Sequence, residues 1–544
     1  MRKHFLWIGA GLLALSACGK DLEVSNPNNP DVARAYATPA GVEGVVGGLG
    51  VQLNNTERAT ESINTQAKIL SGEQFATVAN FGMAARAVIP RSAISNDLGN
   101  DNQTGNRANW DTFSRTARSA ATAIQAIAAY QAKGQTMGSA SQDARAKAFA
   151  YLILGNALGY MSMGYDSAAI VTPLTGSSDV PPLSGYKAVN AKALEMLDSA
   201  IATANGSAAS SGGSNGFPLP STWISGQSSL TAANFVRLVR SYKARIRAGV
   251  ARTAAERAAV DWNAVISDAT NGITADFMIS LGGSTGWTAT FDTNQSYVTG
   301  GWHSLPMLYY GMADASGAYD AWLKVDMNSR KAFLIQTPDK RWPQGATRAV
   351  QQAEAPSVAL TIPGRYFRNR PTGEDVPVTG WGDSWYDHRR WGVMNIASIT
   401  GPYAEMSKTE IDMLAAEGYI RQGNLAAAAA LIDITRTKNG LPSVGVPASA
   451  TAPFSTAADC VPRVPVGPSF NTTACGSILE AMKYEKRMET AFTGYLVWFA
   501  DSRGWGDLVT GTAVEWPVPY QEMQARYQAY HNGTNVAPKG TYGF

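Results

Sequence analysis

The chain has 544 residues, 45% hydrophobic, 16% charged and 9% aromatic, enough for one large core or several domains and too apolar for a disordered chain. Lys and Arg number 45 against 42 Asp and Glu, a net charge of +3 that supplies no field for holding a polyanion, so no nucleic-acid partner is expected. Three Cys and four His are scarce enough to weaken zinc, haem and iron–sulfur readings, which need clustered thiolates or imidazoles, and no cofactor is expected.

The chain opens with Arg2, Lys3 and His4, an apolar stretch from Phe5 to Ala17, and Cys18, which reads residues 1–17 as a secretory signal. The apolar stretch is too short to cross a hydrocarbon core of roughly 30 Å. Leu15-Ser16-Ala17-Cys18 resembles the bacterial lipobox, in which the cysteine is acylated and becomes a membrane anchor. An ordinary signal peptide is the alternative. No Asp stands immediately after Cys18, which by resemblance to lipoprotein sorting points to the outer membrane. Asn26-Pro27-Asn28-Asn29-Pro30 completes an extended tether over residues 18–30, because each residue before a proline is pushed out of the helical region.

One domain is expected over 31–544, with a helical scaffold at 31–271 and 403–544 and a loop-rich insertion at 272–402. Residues 31–84 are mixed but mostly helical, and 86–109 form a polar stretch holding Arg91, Asn100, Asp101 and Asn102. Apolar residues at three- and four-residue steps predict helices over 110–130, 143–163, 186–204, 231–251 and 254–271, with a Ser/Gly-rich loop at 206–216. Between 272 and 402 that periodicity disappears, and Trp287, Trp302, Trp322, Trp342, Trp381, Trp385 and Trp391 sit among Gly, Pro, Asp and Asn. Residues 406–440 form a helical hairpin: Ser407 and Glu410 fit a capping box with the glutamate reaching back, and Gly423-Asn424 makes the turn. Two helices in about 34 residues with small residues at the crossing match a tetratricopeptide-type unit. A last helix is expected over 477–492, where the run Glu485 to Glu489 reads as a solvated face.

Several segments together resemble a known family. Residues 413–424, MLAAEGYIRQGN, followed by 435–442, TRTKNGLP, are similar to the "AEA, hairpin, R-x-R-x-G-L-P" pattern of the SusD/RagB family. YEKRMETAF at 484–492, DSRGWG at 501–506 and WPVP at 516–519 resemble its ending, and 144–173 resembles its helix and following turn. Thr493, Ser502 and Gly504 depart from the pattern. The resemblance implies a mostly α fold, a SusD-like α-α superhelix with tetratricopeptide-type hairpins and a loop-rich ligand-binding insertion. It also implies a lipid-anchored outer-membrane protein facing the exterior. Such a protein captures glycans or other oligomers, without catalysis, for a SusC-like TonB-dependent barrel.

A glycan binder needs aromatic rings against which pyranose C–H faces lie, with polar groups for the hydroxyls. The candidates are Trp287, Trp302, Trp322, Trp381 and Trp385 with Arg91 and Asn102; Tyr309, Tyr310 and Trp110 come next, and core packing is the competing role of each. Peptide is the alternative ligand, as in RagB-like members. A secreted polysaccharide hydrolase is the alternative class, although no nucleophile elbow, phosphate loop or zinc-protease helix occurs and Asp383 with Asp387 is the carboxylate couple that could be drawn. With Cys18 assigned to lipid, Cys460 and Cys475 remain in an exported chain and are expected to form a disulfide.

Overall fold

The computed structural model describes residues 32–76, 82–100, 102–210, 216–228, 230–289, 303–354, 364–374, 380–391 and 399–544. The signal segment, the tether with Cys18, Asp101 and Trp302 lie outside the described residues.

Helices carry the architecture. α1 (Pro39–Glu57) starts where the Thr38 hydroxyl accepts from the Gly41 amide, and α2 (Ile63–Leu70) where Ser62 accepts from Thr65, each cap satisfying an orphan donor of the first turn. α3 (Gln103–Ala132), α4 (Ala140–Gly164), α5 (Tyr186–Ser210) and α6 (Ala232–Gly249) then pack in succession, with α1 laid against α3 and α4. Close approach in this stack depends on glycine. A Cβ at Gly155 would sit 2.6 Å from Leu197 Cγ of α5, and one at Gly159 would sit 2.5 Å from Ile246 Cδ1 of α6. α4 is consequently buried along nearly its whole second half.

The helix expected over 254–271 is two, Ala254–Ala258 and α7 (Trp262–Thr270). Asp261 accepts from the Ala264 amide and starts a new helix there, a capping signal that apolar periodicity alone hides. The helix expected to end at Ala204 runs on through Ser210, into the segment expected to be a loop.

α7 joins the scaffold's two halves by packing on both α6 and α8 (Lys408–Arg421). α9 (Leu425–Lys438) folds back on α8, and α10 (Ile478–Thr490) covers both. α11 (Val497–Trp505) then packs against α2, α6 and α10. Between the halves, β1 (Phe277–Leu281) pairs antiparallel with β4 (Gly401–Met406), Leu281 opposite Gly401, so the intervening chain leaves and returns at adjacent points. Inside it, β2 (Phe367–Asn369) pairs with β3 (Tyr386–His388). Beyond α9, β5 (Arg463–Val466) pairs with β6 (Thr472–Cys475), and a disulfide joins Cys460 to Cys475 with Cα atoms 5.9 Å apart. No helix among the described residues is long and apolar enough to cross a membrane.

Two expectations about charge are corrected. Ser407 accepts from the Glu410 amide at 3.0 Å, but the Glu410 carboxylate does not reach back; it takes Arg245 Nε at 2.7 Å and Nη2 at 2.8 Å. Nor is 485–489 a solvated face, because Glu485, Lys486, Arg487 and Glu489 are all at most 4% exposed. The reason is partner placement. Glu485 pairs with Arg341 and Arg436, Lys486 with Asp501, Arg487 with Asp507, and Glu489 with Arg341 and Arg390. Taking an ion out of water costs several kcal/mol, and only opposite charges arriving from other segments offset it.

A second hub is centred on Arg257, fully buried, which donates Nε to Glu417 Oε1 at 3.0 Å and Nη2 to Glu417 Oε2 at 2.6 Å and Asp501 Oδ1 at 3.0 Å. Burial opposes ionisation of Glu417, yet Arg257, with Arg421 and Lys486 behind it, holds this carboxyl down at about 2. The residues that resemble the family signature, Glu417, Arg436, Glu485 and Asp501, are thus ion-pair members of the core.

Candidate functional site

Among the described residues, the predicted aromatic residues are mostly packed in the core. Trp322 lies between Tyr319 and Phe333 with the Arg330 guanidinium 4.1 Å from its ring centroid, and is buried. Trp287 is also buried, on the floor of a groove of about 520 Å³ beside Trp223 and against the glycine-rich face of α1. Trp342 stacks on Phe367 at 3.9 Å, and Trp110, Tyr309, Tyr310 and Trp391 are core residues. Trp385 is the half-buried one, with Arg348 4.6 Å from its centroid. Asp387, of the Asp383 and Asp387 couple, is committed to ion pairs with Arg368 and Arg389.

Arg91 and Trp381 do meet. The Arg91 guanidinium lies 5.2 Å from the Trp381 ring centroid, while Phe75 meets that ring edge-on at 4.7 Å. With an arginine and a phenylalanine against it and 3% exposure, Trp381 positions Arg91 and has no face left for a sugar. Around this pair the scaffold meets the insertion: Phe75–Ala76 pairs with His303–Ser304, and Ser304 Oγ donates to the Gly382 carbonyl. Asn102 precedes α3 without a side-chain capping bond and sits against Gly82, where a Cβ would lie 2.9 Å from its Cγ.

Three further residues at this junction, which the sequence reasoning missed, are buried and polar. Arg86 Nε donates to Gln66 Oε1 at 2.8 Å, and Gln66 Nε2 donates to Asn106 Oδ1 at 3.1 Å. Beyond those bonds, Arg86 Nη2, Arg91 Nε and Nη1, and both ends of the Gln74 carboxamide have no hydrogen-bond partner among the described residues. A buried polar group left unpaired costs about 1–3 kcal/mol, so five such atoms mark a place where the fold does not complete its own polar contacts. No carboxylate among the described residues pairs with either arginine. Burial therefore pushes Arg86 down to about 10, and burial with repulsion from Arg86 pushes Arg91 down to about 9. The only sequence signal for Arg86, Gln66 and Gln74 is a polar residue inside a helical, apolar context.

The junction presents guanidinium and amide donors and one amide acceptor. Among the described residues it holds no nucleophile with a neighbouring base. Nor does any cluster of three His, Cys, Asp or Glu among them offer a place for a metal ion.

Neither a family profile nor a curated protein sequence matches the chain. Solved structures do. A SusD superfamily protein from Bacteroides thetaiotaomicron superposes with a TM-score of 0.53 at 13% identity, over 92% of this chain and 98% of its own. One from Bacteroides fragilis gives 0.53 at 12% identity over 90% and 98%. A SusD-like protein from Bacteroides fragilis gives 0.51 at 13% identity over 87% of each chain. The chain has the SusD fold. Identities this low establish the shared architecture, including the mostly helical class expected from the sequence. In a SusD-like framework the Arg86–Arg91 junction falls where the helical scaffold and the insertion touch, and rigid elements carrying loops are a common setting for binding residues.

Proposed function

We propose that this SusD-like chain is a binding protein, not an enzyme. In this reading Cys18 is acylated and anchors the protein to the outer membrane facing the exterior. The protein captures an oligosaccharide at the Arg86–Arg91 junction and passes it to a SusC-like TonB-dependent barrel. The unpaired polar atoms at Arg86, Arg91 and Gln74 carry the proposal: buried as they stand, they take the hydroxyls of an oligomer when the junction opens to admit it. Asn102 lies at the same junction, against Gly82. The lipobox and the SusD fold support the membrane setting.

Capture with release fits the magnitude. At roughly 0.3 kcal/mol per heavy atom, a disaccharide gains about 7 kcal/mol, a dissociation constant near 10 μM. The test is a glycan array and a peptide array probed with the purified protein, followed by titration of the best ligand. An oligosaccharide hit that Arg91→Met weakens supports the reading. Binding confined to peptides replaces the ligand class, and shortened glycans in the incubation overturn the non-catalytic role. Affinity capture from solubilised outer membranes tests the barrel: repeated recovery without one removes the delivery step.

A further inference from the structure

A recess that shares no residue with the Arg86–Arg91 junction opens where segment 534–541 closes over the end of α11. It measures about 670 Å³, within the ~300–1,000 Å³ typical of small-molecule sites. One side is apolar, formed by Leu508, Val514, Val536, Ala537 and Pro538.

The floor is charged and out of balance. Arg252 and Arg503 are at most 4% exposed and share two acceptors: both donate to the Met163 carbonyl, at 2.8 and 3.0 Å, and to the Val514 carbonyl, at 3.3 and 2.6 Å. Arg503 has no carboxylate partner among the described residues; its other bonds run to the carbonyls of Ala251 and Gly249. Burial and the neighbouring Arg252 together disfavour its charge. Glu515 stands 3.5 Å from Arg252 Nε and also accepts from Asn535. Glu256 is already occupied by the Tyr186 hydroxyl, the Arg252 amide and Lys187, each at 2.7 Å. Lys539 adds a further cation on the exposed wall, and the buried indole N–H of Trp505 lines the recess with no hydrogen-bond partner among the described residues. Among the residues lining the recess, the three cations Arg252, Arg503 and Lys539 thus face two carboxylates, Glu256 and Glu515.

We infer that this recess binds an amphiphilic organic anion, an apolar body ending in one carboxylate. The apolar wall takes the body, while the carboxylate offsets the excess positive charge and supplies the acceptor the Trp505 N–H lacks. An amine of the same shape meets repulsion. A neutral glycan leaves the charge uncompensated.

The test is calorimetric titration of the full-length protein in amphipol with 4-phenylbutyrate and, as the matched cation, 4-phenylbutylamine. The carboxylate is expected to bind at least tenfold tighter than the amine, and Lys539→Glu, at an exposed site, to weaken it about tenfold. Val536→Asp on the apolar wall is expected to do the same. Both substitutions are on the surface, and a thermal scan verifies that each variant folds. Equal or tighter binding of the amine overturns the inference, as does unchanged affinity for the carboxylate in both folded variants. Neither result touches glycan capture at the Arg86–Arg91 junction.

Discussion

Glu417→Gln isolates the contribution of one buried charge. The native carboxylate accepts two bonds from Arg257 and two from Arg421, and its side chain is fully buried. Its pKa falls from 4.5 to about 2 in the folded chain. A depressed carboxyl pKa stabilises the fold fully above the unfolded value of 4.5, and the contribution is lost as pH falls from there through about 2. At about 1.4 kcal/mol per pKa unit, the ionised form contributes about 3 kcal/mol at pH 7 and about 1 kcal/mol at pH 3. Urea unfolding followed by tryptophan fluorescence should show the Glu417→Gln substitution costing about 3 kcal/mol at neutral pH, with the gap to wild type narrowing steadily below pH 4.5. A gap of the same size at pH 7 and pH 3 would refute the ionic account and leave lost packing as the cause.

Glu57 gives the opposite pH signature. Burial and repulsion from Glu405 push its carboxyl up to about 8, so the folded chain takes a proton that the unfolded chain releases above 4.5, and stability falls as pH rises from 4.5 to 8. Glu57→Gln should therefore gain relative stability across that window in the same unfolding assay, and a gain equal at pH 5 and pH 8 contradicts it. Arg91→Met should reduce ligand affinity at least tenfold by titration while leaving the melting temperature unchanged or raised, since two of the arginine's buried nitrogens have no partner among the described residues. Cys460→Ser with Cys475→Ser should cost about 3 kcal/mol in the chain-entropy picture of a 15-residue closure, checked by unfolding with and without reductant. Gly155→Ala should cost about 1–3 kcal/mol, because the new Cβ presses on Leu197 and on the Ala193 carbonyl 3.1 Å away; urea unfolding of the variant measures it.

The helical hairpin was legible because its turn and caps are local: α8 ends and α9 begins on either side of the expected Gly423-Asn424 turn, with Asn424 accepting from the Ala427 amide. Failures share one physical origin, the dependence of a side chain's surroundings on segments distant in the chain. Nothing local to Glu485 announces that Arg341 and Arg436 will meet it in the core, so a charged run reads as solvated. Nothing local to Trp322 or Trp342 reveals that Arg330 or Phe367 will cover it, so tryptophans among loop residues read as binding surfaces. Arg91, Asn102 and Trp381 were placed at one junction, yet the orphaned nitrogens of Arg86 and the unpaired Gln74 amide emerge only once burial is known. Asp261 is the exception, a local capping residue that periodicity overrode.

The pairing of β1 with β4 places Leu281 opposite Gly401. Whatever chain runs between them starts and finishes at the same doorstep of the scaffold. The entropy of closing such an excursion grows only as the logarithm of its length, about 0.6 kcal/mol for each doubling. The exposed loops of the intervening segment can accordingly change length at little entropic cost, provided Arg341 and Arg390, which it lends to Glu485 and Glu489 of α10, keep their places. The excursion is therefore two things at once, loops free to vary in length and a few arginines that act as fixed rivets of the helical frame.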